Sequence, residues 1–226
     1  MIRYAKIREK MPREFLLLQG QGCAWRRCSF CDYYTDVSED PFQVNQPVLR
    51  QVTGEFGVLD LINSGSCTEF DQETLAMIAD IVREKAIHTL WFEAHWLYRH
   101  RLSAFRDRFP GVTVKFRVGA ESFDEDLRQR WNKGMAKVSP QDIARYFQGV
   151  CLLVGLTGQK RETISRDIRI AMAHFEYFSV NVFCENTTAE KRDDALIHWF
   201  LKEWGETLKA HPKAECLMEN TDLGVG

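Results

Sequence analysis

The sequence predicts an α/β fold, an incomplete (β/α)6 barrel, on three observations. Short apolar strands alternate with longer helical patterns through six β/α units. The chain has 226 residues, fewer than the about 250 of a full eight-unit barrel. Three successive strands carry one polar face each, whereas strands covered by helices on both sides read apolar throughout.

The elements follow in order. Residues 15–19 read as a first strand that runs into a cysteine-bearing loop. Residues 47–52 read as a short helix, and 58–63 as a second strand ending in Ser64-Gly65-Ser66. Over 71–84, Leu75, Ile78, Ala79 and Val82 recur at helical spacing, with Asp71 placed as the N-cap. Strand and helix then alternate at 87–93 and 97–109, 112–118 and 123–132, 150–154 and 162–175, and 180–184 and 193–204. The whole chain, 1–226, reads as one domain, with 1–13 an N-terminal extension and 205–226 a C-terminal tail.

The polar faces point to a lumen built for a charged ligand. In the fourth strand Val112, Val114, Phe116 and Val118 share one face, opposite Thr113, Lys115 and Arg117. In the third, Glu93 and His95 lie opposite Leu90 and Phe92; in the sixth, Asn181 and Glu185 lie opposite Val180 and Val182.

Composition excludes several classes. Apolar residues make up 45% and charged residues 27%, which is globular rather than disordered. A net charge of −2 gives no electrostatic footprint for nucleic acid or an anionic membrane. No apolar run approaches the roughly 20 residues of a membrane span, and the N-terminus lacks a signal-peptide core. The expectation is a cytoplasmic protein whose seven cysteines are mostly reduced.

Three of those cysteines, Cys23, Cys28 and Cys31, form a C-x4-C-x2-C run directly after the first strand. That is the rim where α/β proteins bind ligands. Soft thiolates suit an iron–sulfur cluster, and three without a fourth leave one iron open. Zinc completed by Asp32, Cys67 or a histidine is an alternative, as are three unligated thiols.

In this order of motifs the chain resembles the radical S-adenosylmethionine (SAM) superfamily. Aromatic Phe30 precedes the last cysteine, Ser64-Gly65-Ser66 resembles the turn that holds the methionine amino group, and Gly119-Ala120-Glu121-Ser122 ends the fourth strand. The superfamily's usual spacing is C-x3-C-x2-C, so this loop carries one extra residue. The resemblance implies a 4Fe–4S cluster on the three cysteines and SAM bound by Phe30, Ser64, Gly65, Ser66, Lys115, Arg117, Glu121 and Ser122. It implies that one electron through the cluster cleaves SAM and starts radical chemistry on a substrate. Reductase, flavodoxin or ferredoxin would supply the electron.

The stretches VGAESFDEDLRQRWNKGM, CLLVGLTGQKRETISRDI and VNVFCENTTAEKRDDALIHWF resemble the queuine lyases of queuosine salvage. That resemblance implies cleavage of queuine at the C–N bond to its cyclopentenediol, releasing a 7-deazaguanine base. Carboxylates suit the N–H groups of a guanine edge. Glu93, His95, Asn181, Glu185 and Asn186, near strand ends, are the substrate candidates, and Glu121 is a further carboxylate. Competing readings are another small-substrate radical SAM enzyme and a non-catalytic iron–sulfur or zinc redox sensor.

Overall fold

Six β/α units form along the chain, in a computed structural model that describes residues 1–226. The elements are β1 (Tyr4–Ile7), β2 (Arg13–Leu18), α1 (Pro41–Leu49), β3 (Val58–Asn63), α2 (Gln72–Glu84), β4 (Thr89–Glu93), α3 (Leu102–Arg106), β5 (Thr113–Glu121), α4 (Glu125–Arg130), α5 (Pro140–Ala144), β6 (Gly149–Val154), α6 (Arg161–His174), β7 (Tyr177–Val182), α7 (Asp194–Ala210) and β8 (Ala214–Leu217). They divide into two units: residues 1–26, 33–117 and 223–226 in the first, 27–32 and 118–222 in the second.

In the first unit β1 is antiparallel to β2, and β2, β3, β4 and the start of β5 run parallel. Residues in register share a face, so Leu16, Leu61, Phe92 and Phe116 make one apolar row. Phe92 is its centre, edge-on to Phe105 at 5.1 Å and close to Phe109 and Phe116. The opposite row holds Phe15, Asp60, Trp91 and Lys115. The carboxylate of that row is paired within the unit. Asp60 accepts from Arg13 Nε at 2.8 Å and from both terminal nitrogens of Arg117, and all three side chains are buried. Removing one partner of such a group strands a buried charge and costs about 3–5 kcal/mol.

Local signals explain the helix positions. Asp71 accepts from Thr74 N at 2.6 Å and starts α2, as its sequence position predicts. The first helix lies earlier than the expected 47–52. Asp40 caps it and Pro41 occupies its first turn, a start signal that outranks Pro47, which sits inside.

In the second unit β6 pairs in parallel with β7, and β7 with β8. Helix α7 buries Leu196, Ile197, Phe200, Trp204 and Leu208 along one stripe, and α6 buries Ile164, Ile168 and Ala171. Residues expected to be terminal extensions instead supply β1, the end of α7 and β8. Strand β5 continues three residues past the expected Val118, so Glu121 is its last residue.

Candidate active site

Cys23 and the turn at residues 64–69 lie in the first unit. Glu69, buried, is the hub. Its carboxylate accepts from Ala24 N at 2.8 Å, from Ser66 N at 2.6 Å and from the Tyr98 hydroxyl at 2.9 Å. Its carbonyl accepts from Gln21 N at 2.9 Å. One side chain thus ties the cysteine loop to the Ser-Gly-Ser turn. Burial and the Glu69 carboxylate push the Tyr98 hydroxyl up to about 12, so it stays a donor. Gly65 packs against this hub: a Cβ there would collide with the Glu69 carboxylate and come within 3.1 Å of Cys23 Cα and Gly22 O. Ser64 Oγ lies 3.4 Å from Asp36, which Arg3 clamps with two hydrogen bonds and Gln19 holds with a third.

The inserted loop residue is accommodated locally. Arg26 adopts a left-handed φ of 48°, and Trp25 stacks on His95 with ring centroids 5.2 Å apart. His95 is itself pinned. Its N–H donates to Ser66 Oγ at 3.0 Å, and its Nδ1 accepts from Leu97 N at 3.2 Å. Glu93 is half-buried with its carboxylate 3.8 Å from Arg117 Nε.

Cys28, Phe30 and Cys31 lie in the second unit. Phe30 meets Trp131 edge-on at 5.8 Å, within a cluster of Leu153, Leu156 and Phe183 against which both cysteines pack. Ser29 N donates to Trp131 O at 3.1 Å, and Asn186 Nδ2 donates to Phe30 O at 2.8 Å. Thr187 donates twice to Asp32. Asn186 thus anchors the cysteine turn. Glu121 adopts a left-handed φ of 63° and pairs with buried Lys133 at 2.9 Å. Ser122 donates to the buried carboxylate of Asp167. Asn181 Oδ1 and Trp131 Nε1 are buried with no hydrogen-bond partner in the protein. Glu185 is exposed.

Two expected cofactor ligands have other duties. Arg117 is committed to Asp60, and Lys115, at the third position of the nine-residue β5, lies over the Trp91 ring at 5.4 Å. Strand parity placed both on the polar face but could not reveal the internal ion pairs that fill it. Glu69 escaped notice although Ser66-Cys67-Thr68-Glu69 is the S-x-x-E pattern of a capping box, which the structure forms. Nothing in the sequence pattern marks Lys133.

The donor set fits an iron–sulfur cluster better than zinc. Cys23, Cys28 and Cys31 form no disulfide and are half-buried. Cys67 is buried, and burial, with Glu69 adding to it, pushes its thiol up. Asp32 is engaged by Thr187. No three His, Cys, Asp or Glu side chains converge on a single-ion position. A 4Fe–4S cluster does not need that, because each thiolate takes its own iron.

No protein-family model and no curated protein matches the chain. Among solved structures it is similar to a queuine lyase from Clostridium spiroforme bound to SAM and queuine. The two share 39% identity and a TM-score of 0.96, over 100% of this chain and 99% of that one.

Proposed function

We infer the activity from kinship: the chain belongs to the queuine lyase family of radical SAM enzymes. It has their α/β fold, and it is a lyase that uses SAM and a 4Fe–4S cluster to split queuine at the C–N bond to the cyclopentenediol in queuosine salvage. The observation that carries this is 39% identity, over the full length of both chains, to an enzyme solved with both small molecules in place.

The residue roles are our proposal. Cys23, Cys28 and Cys31 hold the cluster, which together with SAM supplies one-electron cleavage of the sulfonium and hydrogen abstraction. Backbone carbonyls of Ser64, Gly65 and Ser66 hold the methionine amino group, on a turn that Glu69 keeps rigid. Phe30, with Trp131 behind it, gives the adenine a dry wall. Glu121 and Ser122 line the cofactor's polar side. Asn181 is the best-supported substrate contact, since its buried oxygen lacks a protein partner and would accept from an N–H or hydroxyl. Glu93, Glu121 and Glu185 are the carboxylates available to the guanine-like edge. Asn186 and His95 act one step back, by fixing the cysteine turn and stacking on Trp25. Lys115 and Arg117 serve the fold.

The chain works as one radical SAM domain, with an electron from a flavodoxin- or ferredoxin-type donor or a reductase. Its substrate is the free base rather than nucleic acid, a reading supported by the net charge of −2. Cytoplasmic location is supported by its cysteine usage, and no helix is long and apolar enough to cross a membrane.

Calorimetry tests the binding roles. Queuine should bind the reconstituted, SAM-loaded protein. Asn181→Ala, and at least one of Glu93→Gln, Glu121→Gln and Glu185→Gln, should lose queuine while keeping SAM. Unchanged queuine affinity in all four variants would remove these residues from the substrate site.

A further inference from the structure

Lys133 is the buried cation that the cofactor and substrate roles leave unused. Its Nζ donates to Glu121 at 2.9 Å and lies 5.6 Å from the centroid of Phe30, the residue just before Cys31. The backbone fixes it there. Lys133 N donates to Arg128 O at 2.8 Å, and left-handed Asn132 and Gly134 bracket it, with φ of 52° and 68°. Two residues earlier, Trp131 O accepts from Ser29 N at 3.1 Å, and the Trp131 ring packs with Phe30, Cys28 and Cys31. Gly119 makes room for the ion pair: a Cβ there would collide with Glu121 Oε1 and come within 3.2 Å of Lys133 Nζ. The Glu121 carboxylate, 2.9 Å from its Nζ, keeps the buried side chain an ammonium.

We propose that Lys133 is a fixed positive charge that raises the reduction potential of the cluster on Cys23, Cys28 and Cys31, an inference that rests on the cluster assignment above. One electron from an external reductant enters the cluster, no bond forms or breaks, and the cluster's net charge becomes more negative by one. A buried ammonium over the Phe30 ring, against which Cys28 and Cys31 pack, stabilises the reduced form more than the oxidised form, because charges interact strongly where water is excluded. Glu121 opposes it. Removing the cation and removing the anion therefore move the potential in opposite directions, a sign pattern that loosened packing would not produce.

The test is a redox titration of the full chain, reconstituted anaerobically without SAM and followed by electron paramagnetic resonance. At the wild-type midpoint, Lys133→Met should lower the reduced-to-oxidised ratio about tenfold, about 59 mV for one electron. Lys133→Arg should restore the ratio, and Glu121→Gln, which keeps the lysine, should raise it. A wild-type potential in Lys133→Met, or a shift of the same sign in Lys133→Met and Glu121→Gln, overturns the proposal. If Lys133→Met takes up no iron, Glu121→Gln decides: a raised ratio supports the proposal and an unchanged one overturns it. A wild-type protein that binds no iron would instead defeat the cluster assignment.

Discussion

The turn at residues 64–69 and the segment at 122–133 show opposite internal economies. In the first, Glu69 alone accepts three side-chain-directed hydrogen bonds, and Asn63, Ser64 and Ser66 are each tied to a neighbour. In the second, Arg128 Nε and Nη1 and Trp131 Nε1 are buried without hydrogen-bond partners; nearby, Asp167 Oδ1 also makes no hydrogen bond, with Arg166 3.7 Å away, while Ser122 holds its other oxygen. Apart from Thr68 Oγ1, which is buried without a hydrogen-bond partner, the first turn is satisfied and forms a rigid cradle before any ligand arrives. Unsatisfied buried groups carry a folding cost that a bound ligand or water can offset. The first region is therefore scaffold, and the second is where the chain has kept polar capacity in reserve.

The largest effect should come from the thiolates. Cys28→Ala should lose iron loading and activity together, measured by iron content and by 5′-deoxyadenosine formation, whereas Cys151→Ala on β6 should keep both. Next comes the buried charge triad of the first unit, Arg13, Asp60 and Arg117. Asp60→Asn or Arg117→Met should destabilise the fold by about 3–5 kcal/mol in chemical denaturation. A loss of SAM affinity at unchanged stability in Arg117→Met would return that residue to the cofactor.

Asp167 probes the unsatisfied region. Burial pushes its carboxyl up to about 6, against the Ser122 hydrogen bond and Arg166. The folded state thus holds this proton more tightly than the unfolded state, and the stabilisation is fully present below about pH 4 and lost as pH rises through about 6. Asp167→Asn should match wild type near pH 4 and exceed it at pH 8 by on the order of 2–3 kcal/mol in urea denaturation. A constant difference between the two pH values would show that Asp167 is not held protonated by burial. The smallest effect is expected at the hub: Glu69→Gln should cost about 1–3 kcal/mol, because an amide cannot accept at both oxygens. With Gly65→Val it should weaken SAM binding while iron content stays at the wild-type level; wild-type SAM affinity in both variants would make the turn purely structural.

Much of this was legible in the sequence. Strand 58–63 matches β3 residue for residue, and Asp71 caps α2 as its position predicts. Strands β1 and β8 were not legible, because four residues each are too few for a periodicity to emerge. The polar strand faces were visible, but their use was not: Arg13, which helps neutralise Asp60, lies outside the expected first strand. His95 reads from sequence as either a ligand or a cap, and the structure gives it the capping bond. Lys133 lies 102 positions after Cys31 in sequence, and only the fold brings its ammonium to the cysteine turn.

Turnover decides the reaction. Reconstituted protein, queuine, SAM and dithionite should be combined anaerobically and the products resolved by mass spectrometry. Queuine should be lost, with matched appearance of a 7-deazaguanine base, freed of its cyclopentenediol, and of 5′-deoxyadenosine. Formation of 5′-deoxyadenosine beside intact queuine would contradict it, leaving a radical SAM enzyme with a different substrate.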